Sequence, residues 1–110
     1  MNYNWKNKTI LVAEDSEMNF ILLKKSLESS GAEIIWAKDG EELMKSVESQ
    51  KDISIILMDI SMPKMDGFTA TKALRKAGFS TPIIAQSAFL LDIEKDKIIE
   101  AGCNDFIAKP

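Results

Sequence analysis

The chain has 110 residues, 45% of them hydrophobic and 28% charged, with a net charge of −3. That is enough for one domain with one core, and it lacks the basic footprint of a nucleic-acid binder. There is no histidine and a single cysteine, Cys103. This removes histidine-based catalysis, imidazole metal ligation and an internal disulfide, and it fits a reducing, cytoplasmic setting. No apolar run approaches the ~20 residues that cross a bilayer, and the polar segment Met1 to Lys8 has no signal-peptide core.

Short apolar runs alternate with amphipathic stretches along the whole chain. Thr9 to Ala13 reads as a buried strand. A helix follows, with Asp15 or Ser16 as its cap; Met18, Ile21, Leu22 and Leu27 form its apolar face, and Gly31 is its stop signal. Ile34 to Ala37 reads as a second strand, Asp39-Gly40 as a turn, and Leu43, Met44 and Val47 as the apolar face of a second helix. Ile53 to Met58 is the strongest strand pattern. Met62 to Gly67 reads as a loop, Phe68 to Ala77 as a third helix, and Pro82 to Ala85 as a fourth strand. Asp92 to Glu100 reads as a fourth helix closed by Gly102, and Phe106 to Ala108 as a fifth strand. Asn19, Trp5, Trp36 and Cys103 read as structural or surface residues. This alternation predicts a single α/β domain, residues 1–110, with a parallel sheet covered on both faces.

In such sheets ligands bind beyond the carboxyl ends of the strands. Those ends carry Glu14 and Asp15 after the first strand, Asp59 after the third, Ser87 after the fourth and Lys109 after the fifth. Crowded carboxylates repel unless a cation joins them. All-oxygen ligands favour a hard ion, Mg²⁺ or Mn²⁺, which leaves positions open for a phosphate oxygen. Lys109 offers a point charge and Ser87 a hydroxyl to phosphoryl oxygens. A carboxylate can attack phosphorus and form an acyl phosphate, and phosphoryl transfer needs positioning and charge neutralisation more than a general base. Each residue alone has a plainer reading: a helix-start acid, a turn cap, a loop hydroxyl, an exposed lysine. Their joint placement at successive strand ends is what carries the chemistry.

Glu14-Asp15, the run Met58 to Gly67, Ala85-Gln86-Ser87-Ala88 and Ala108-Lys109-Pro110 together resemble the receiver domains of two-component response regulators. Glu14 to Asn19 and Ala101 to Phe106 are most similar to receivers attached to hybrid sensor kinases. The resemblance implies a flavodoxin-like, doubly wound sheet of five parallel strands in the order 2-1-3-4-5. It implies Asp59 as phosphoacceptor, Glu14 and Asp15 as the metal-binding acids, and the backbone carbonyl of Ser61 as a further metal ligand. Lys109 matches the lysine that contacts the phosphoryl group, Ser87 the switch hydroxyl and Phe106 the switch aromatic. The implied partners are a histidine kinase or histidine phosphotransfer protein, together with an output domain or parent hybrid kinase. Nucleic acid and membrane are not expected to bind this domain. The chain itself is expected to be a switch that assists its own phosphorylation rather than a turnover enzyme.

Several positions depart from the commonest pattern. Ser87 stands where threonine is frequent, and Phe106 where tyrosine is common, so no phenolic hydrogen bond is available there. Phe89 is expected to shield the phosphoryl group from water. The chain stops at Lys109-Pro110, before the usual fifth helix, which predicts an uncovered apolar surface and self-association through it. Three other readings compete. An aspartyl-nucleophile phosphatase would need a second acid where Ser61 stands, a flavin- or nucleotide-binding module would need a hydroxyl- or glycine-rich phosphate loop where Glu14-Asp15 stands, and a docking-only receiver would not need the full acidic set.

Overall fold

The computed structural model describes residues 4–49, 52–60, 66–87 and 92–108. The elements in chain order are β1 (Thr9–Ala13), α1 (Glu17–Leu27, continued by a 3₁₀ turn over Glu28–Ser30), β2 (Glu33–Ala37), α2 (Gly40–Ser49), β3 (Ile55–Asp59), α3 (Gly67–Lys76), β4 (Ile83–Ser87), α4 (Asp92–Ala101) and β5 (Asp105–Ala108). The five strands form one parallel sheet in the order β2-β1-β3-β4-β5. The direction in which strands are added reverses after β2, since the chain crosses back past β1 to β3, so the first crossover and the later ones cover opposite faces, as right-handed connections require.

Strand alternation sorts the core into two clusters. Leu11 and Ala13 of β1, Ile56 and Met58 of β3 and Ile83 and Ala85 of β4 pack with Leu43, Leu74 and Ile98 from α2, α3 and α4. On the other face Ile10 and Val12 pack with Phe20 of α1, joined by Leu23, Leu27, Trp36 and Leu57. Burying a large side chain of this kind contributes ~1.5–3 kcal/mol.

Helix α1 corrects the sequence reading. Met18 is 73% exposed, and Ile21 and Leu22 also face solvent, whereas Phe20 is only 8% exposed. The inward stripe is buried Phe20 with half-buried Leu23 and Leu27, an i, i+3, i+7 row; Met18, Ile21 and Leu22 form a second apolar row turned outward. Phe20 wins the inward position by stacking on Trp36 of β2, with ring centroids 4.7 Å apart and planes at 7°. Ser16 is the cap, its hydroxyl accepting from the Asn19 amide at 3.3 Å. Gly31 closes the 3₁₀ turn at φ 82°.

Two strand ends also differ from expectation. β3 starts at Ile55 and runs on through Asp59, and β4 runs through Ser87. The charged and hydroxyl groups are therefore the last rungs of the sheet rather than the first loop residues. Four α-helices lie among the described residues. Ile107 on β5 and Ile99 on α4 are the large apolar side chains exposed at that edge.

Candidate metal and phosphoryl site

β1, β3 and β4 end side by side. Ala13 is level with Met58, and Asp59 with Gln86, so Glu14, Asp59 and Ser87 gather along one rim. Carboxylate oxygens of Glu14, Asp15 and Asp59 all lie within 4.8 Å of one another. Glu14 is 1% exposed and Asp59 2% exposed, while Asp15 faces solvent. Ser87 is buried at the end of β4.

The local backbone fixes these positions. The β1–β2 ladder ends at Ala13 and Ala37, and the Glu14 amide extends it by one bond, donating to the Ala37 carbonyl at 3.0 Å. The Glu14 carbonyl accepts from the Trp36 indole N–H at 2.8 Å. One oxygen of the Glu14 carboxylate accepts from the Ser16 amide at 3.2 Å. After β3, the Ile60 amide donates to the Gln86 carbonyl at 3.2 Å, and the Ile60 carbonyl accepts from the Gly67 amide at 3.1 Å. That bond brings the start of α3 directly onto the chain beside Asp59. Asp66 caps α3, its carboxylate accepting from the Thr69 amide at 2.9 Å.

Burial pushes the Glu14 carboxyl up from 4.5 to about 7; the Ser16 amide opposes this, and contact with Asp59 and Asp15 adds to it. A carboxyl that holds its proton more tightly folded than unfolded stabilises the fold below pH 4.5, and that contribution is lost as pH rises toward 7. The chain has no histidine, so no imidazole titrates in this window. The metal-free protein in EDTA is therefore expected to lose roughly 5 °C of thermal midpoint between pH 5 and 7.5, and Glu14→Gln is expected to flatten that slope. Thermal unfolding across a pH series checks it, and a Glu14→Gln profile parallel to the parent's would overturn it.

A hard divalent cation suits this donor set. Its bonds are ~2.1 Å, so ligand oxygens in one shell lie ~3–4 Å apart; two of these carboxylates can bind directly and the third through water. Phe106, level with Ala85, is half-buried against the larger core cluster, and Lys95 Nζ lies 5.8 Å from its ring centroid. The structure thus brings Glu14, Asp15, Asp59 and Ser87 to one rim and sets Phe106 on the neighbouring strand. Ser61, Phe89 and Lys109 lie outside the described residues. Sequence reasoning missed Trp36 and Gly67; an indole at the penultimate residue of β2 and a glycine opening α3 were the only signals available.

A family model described as "Response regulator receiver domain" matches residues 10–110. The chain is 41% identical over 106 residues to the alkaline phosphatase synthesis transcriptional regulatory protein PhoP of Bacillus subtilis, covering 94% of this chain and 43% of that protein. Among solved structures it resembles the receiver domain of sensor histidine kinase PA1611 from Pseudomonas aeruginosa, with a magnesium ion in the active-site cleft; identity is 35%, the TM-score is 0.84, and the match covers 94% of this chain and 85% of that one. It also resembles, at 27% identity and a TM-score of 0.84, the co-crystal structure of the Saccharomyces cerevisiae histidine phosphotransfer protein Ypd1 with the receiver domain of its downstream response regulator Ssk1, covering 94% and 79% of the two chains. The chain spans less than half of the regulator's length and 6–12% of the sensor and hybrid kinases it matches.

Proposed function

The chain belongs to the response regulator receiver domain family of two-component signalling, and from that premise we propose that Asp59 accepts a phosphoryl group from a phosphohistidine on a partner protein. The observation that carries this reading is the gathering of the Glu14, Asp15 and Asp59 carboxylates within 4.8 Å at adjoining strand ends.

An Asp59 oxygen attacks phosphorus in line with the phosphohistidine. The P–N bond breaks, the new P–O bond makes an acyl phosphate, and the departing imidazole takes up a proton from solvent. Asp15 and Glu14, together with Asp59 and, as the family resemblance implies, the Ser61 carbonyl, would hold a divalent ion. Bound Mg²⁺ supplies positive charge against the phosphoryl oxygens; Mn²⁺ suits the same oxygen donors. Lys109 neutralises a further phosphoryl oxygen. Ser87 donates its hydroxyl to another, and Phe106 rotates toward the space Ser87 leaves. The surface of α4 and β5 then shifts between two packings, biased by one charged group. Hydrolysis of the acyl phosphate resets the chain, which acts as a cytoplasmic switch and not as a turnover enzyme. Residues 1–110 form one receiver domain in this reading, and the partner is a histidine kinase or a histidine phosphotransfer protein.

The experiment is intact-mass measurement after incubation with Mg²⁺ and acetyl phosphate. The parent is expected to gain one phosphoryl group, and Asp59→Ala or added EDTA to prevent the gain. An unmodified parent, or equal modification of Asp59→Ala, would overturn the proposal. Steady release of phosphate from small phosphoesters would instead favour an aspartyl phosphatase.

A further inference from the structure

Trp36 does more than fill the core. Its position follows from the register of β1 and β2: Val12 is level with Trp36, and Ala13 with Ala37, where the ladder stops. Just past the end of a ladder, a backbone carbonyl can accept from a side-chain donor. For Glu14 that donor is the Trp36 indole, at 2.8 Å. The Glu14 amide is held separately by the Ala37 carbonyl at 3.0 Å. The peptide group joining Glu14 to Asp15 is thus oriented by a side chain of the neighbouring strand. This is the peptide at which the chain turns out of β1, with a buried acid on one side and an exposed acid on the other.

The indole is itself locked in place. Phe20 of α1 stacks on it at 4.7 Å between centroids, and Lys38 Nζ lies 5.4 Å from the ring centroid. A stacked, cation-bearing ring has little freedom to swing its N–H away. The route from indole to carboxylate runs through a single peptide plane: rotating it would turn the Asp15 Cα and re-aim its side chain, while Glu14 is kept in register by its own amide.

We propose that Trp36 is a positioning residue for the divalent-cation site, its indole N–H holding the Glu14 carbonyl so that Glu14 and Asp15 converge with Asp59. The inference rests on the reading of the acidic cluster given above. It extends that reading to a residue that touches neither the ion nor the phosphoryl group. Groups that orient metal ligands in this way typically carry ~10–100-fold in metal affinity. The effect here is expected at the lower end, because the indole acts on the backbone and not on a ligating atom.

Two measurements on the folded protein test it. In a Trp5→Phe background, where Trp36 is the sole tryptophan, Mg²⁺ titration is expected to change Trp36 emission and shift its indole N–H resonance, with a midpoint matching calorimetric Mg²⁺ binding. Trp36→Phe keeps a ring for Phe20 and Lys38 and removes only the donor; its calorimetric Mg²⁺ affinity is expected to fall about tenfold. Phe20→Leu removes the stacked partner and leaves the donor, so loosened packing alone would lower affinity in that variant as much as in Trp36→Phe. Equal loss in the two variants, or parent-like affinity in Trp36→Phe together with silent emission and an unmoved N–H resonance, would overturn the inference. Should Trp36→Phe fail to fold, the emission and resonance responses of the Trp5→Phe protein decide the matter alone. Absence of Mg²⁺ binding by the parent protein would instead overturn the underlying reading, and this inference with it.

Discussion

Replacing Gly67 by alanine is expected to destabilise the protein by ~2–4 kcal/mol. A Cβ at Gly67 would stand 2.6 Å from the Ile60 Cα, 2.8 Å from the Asp59 carbonyl oxygen and 3.2 Å from the Asp59 carbonyl carbon. All three are backbone atoms, so no rotamer change relieves the contact. Either α3 must retreat from the end of β3, or β3 must bend away from β1. Retreat would break the bond from the Gly67 amide to the Ile60 carbonyl, and bending would spread the carboxylate cluster. Intrinsic helix propensity argues the other way, since alanine in a helix is favoured over glycine by ~1 kcal/mol. The two effects have opposite signs, so a denaturant or thermal unfolding comparison decides between them. A fall of roughly 10 °C or more in the thermal midpoint is expected, with weaker Mg²⁺ binding in whatever fraction stays folded. A variant as stable as its parent would show that the close approach of α3 to Asp59 is wrong.

Arg75→Ala is expected to cost a similar amount, by a different cause. From α3 the guanidinium donates to the carbonyl of Gly102 at 3.0 Å, to those of Phe79 and Thr81 at 2.8 Å each, and to Asn104 Oδ1 at 2.8 Å. Asn104 Oδ1 also accepts from the Ile83 amide at 2.9 Å, and the Asn104 amide donates to the Ile83 carbonyl at 2.8 Å. One side chain therefore ties the loop before β4 to the loop before β5. Hydrogen bonds from a charged donor contribute ~1.5–3 kcal/mol each in isolation, but bonds sharing one donor group do not add. A loss of ~2–4 kcal/mol is the reasonable total. Arg75→Lys should recover little of it, because an ammonium cannot reach four acceptors in a planar fork. The local readout is Cys103, buried in the loop before β5 with its thiol 3.6 Å from Thr71 Oγ1 of α3. Its reaction with a thiol reagent should accelerate in Arg75→Ala. Parent-like stability and thiol reactivity together would show that the four bonds hold nothing that solvent does not replace.

The strands and the candidate site were legible in the sequence because both are written in side chains. Ile, Val and Leu runs mark buried parallel strands, and β1 appears at Thr9–Ala13 as its pattern predicts. The acids and the hydroxyl stand out because each closes or follows such a run; Lys109 lies outside the described residues. What escaped the sequence is written in backbone. The partners of Arg75 are mostly carbonyls in loops, which carry no residue signature, so nothing in the sequence singles it out. Gly67 reads as a turn glycine because nothing local tells how near β3 lies. Trp36 reads as a structural or surface residue because only the register of two strands sets its indole beside Glu14. The outward row of α1 was misassigned for a related reason: Met18, Ile21 and Leu22 are as apolar as Phe20, Leu23 and Leu27, and periodicity alone cannot choose between two apolar rows.

The carboxylate cluster draws Glu14 and Asp15 from the end of β1 and Asp59 from the end of β3, with a helix, a strand and a second helix threaded between them. Local structure cannot bring these groups together, and neither half of the chain contains a usable fragment of the cluster. A nascent or damaged molecule with β3 unpaired would have scattered, ordinary acids in place of the cluster. Convergence of the three carboxylates thereby reports that β1 and β3 have paired, and a molecule stalled before that pairing cannot display it.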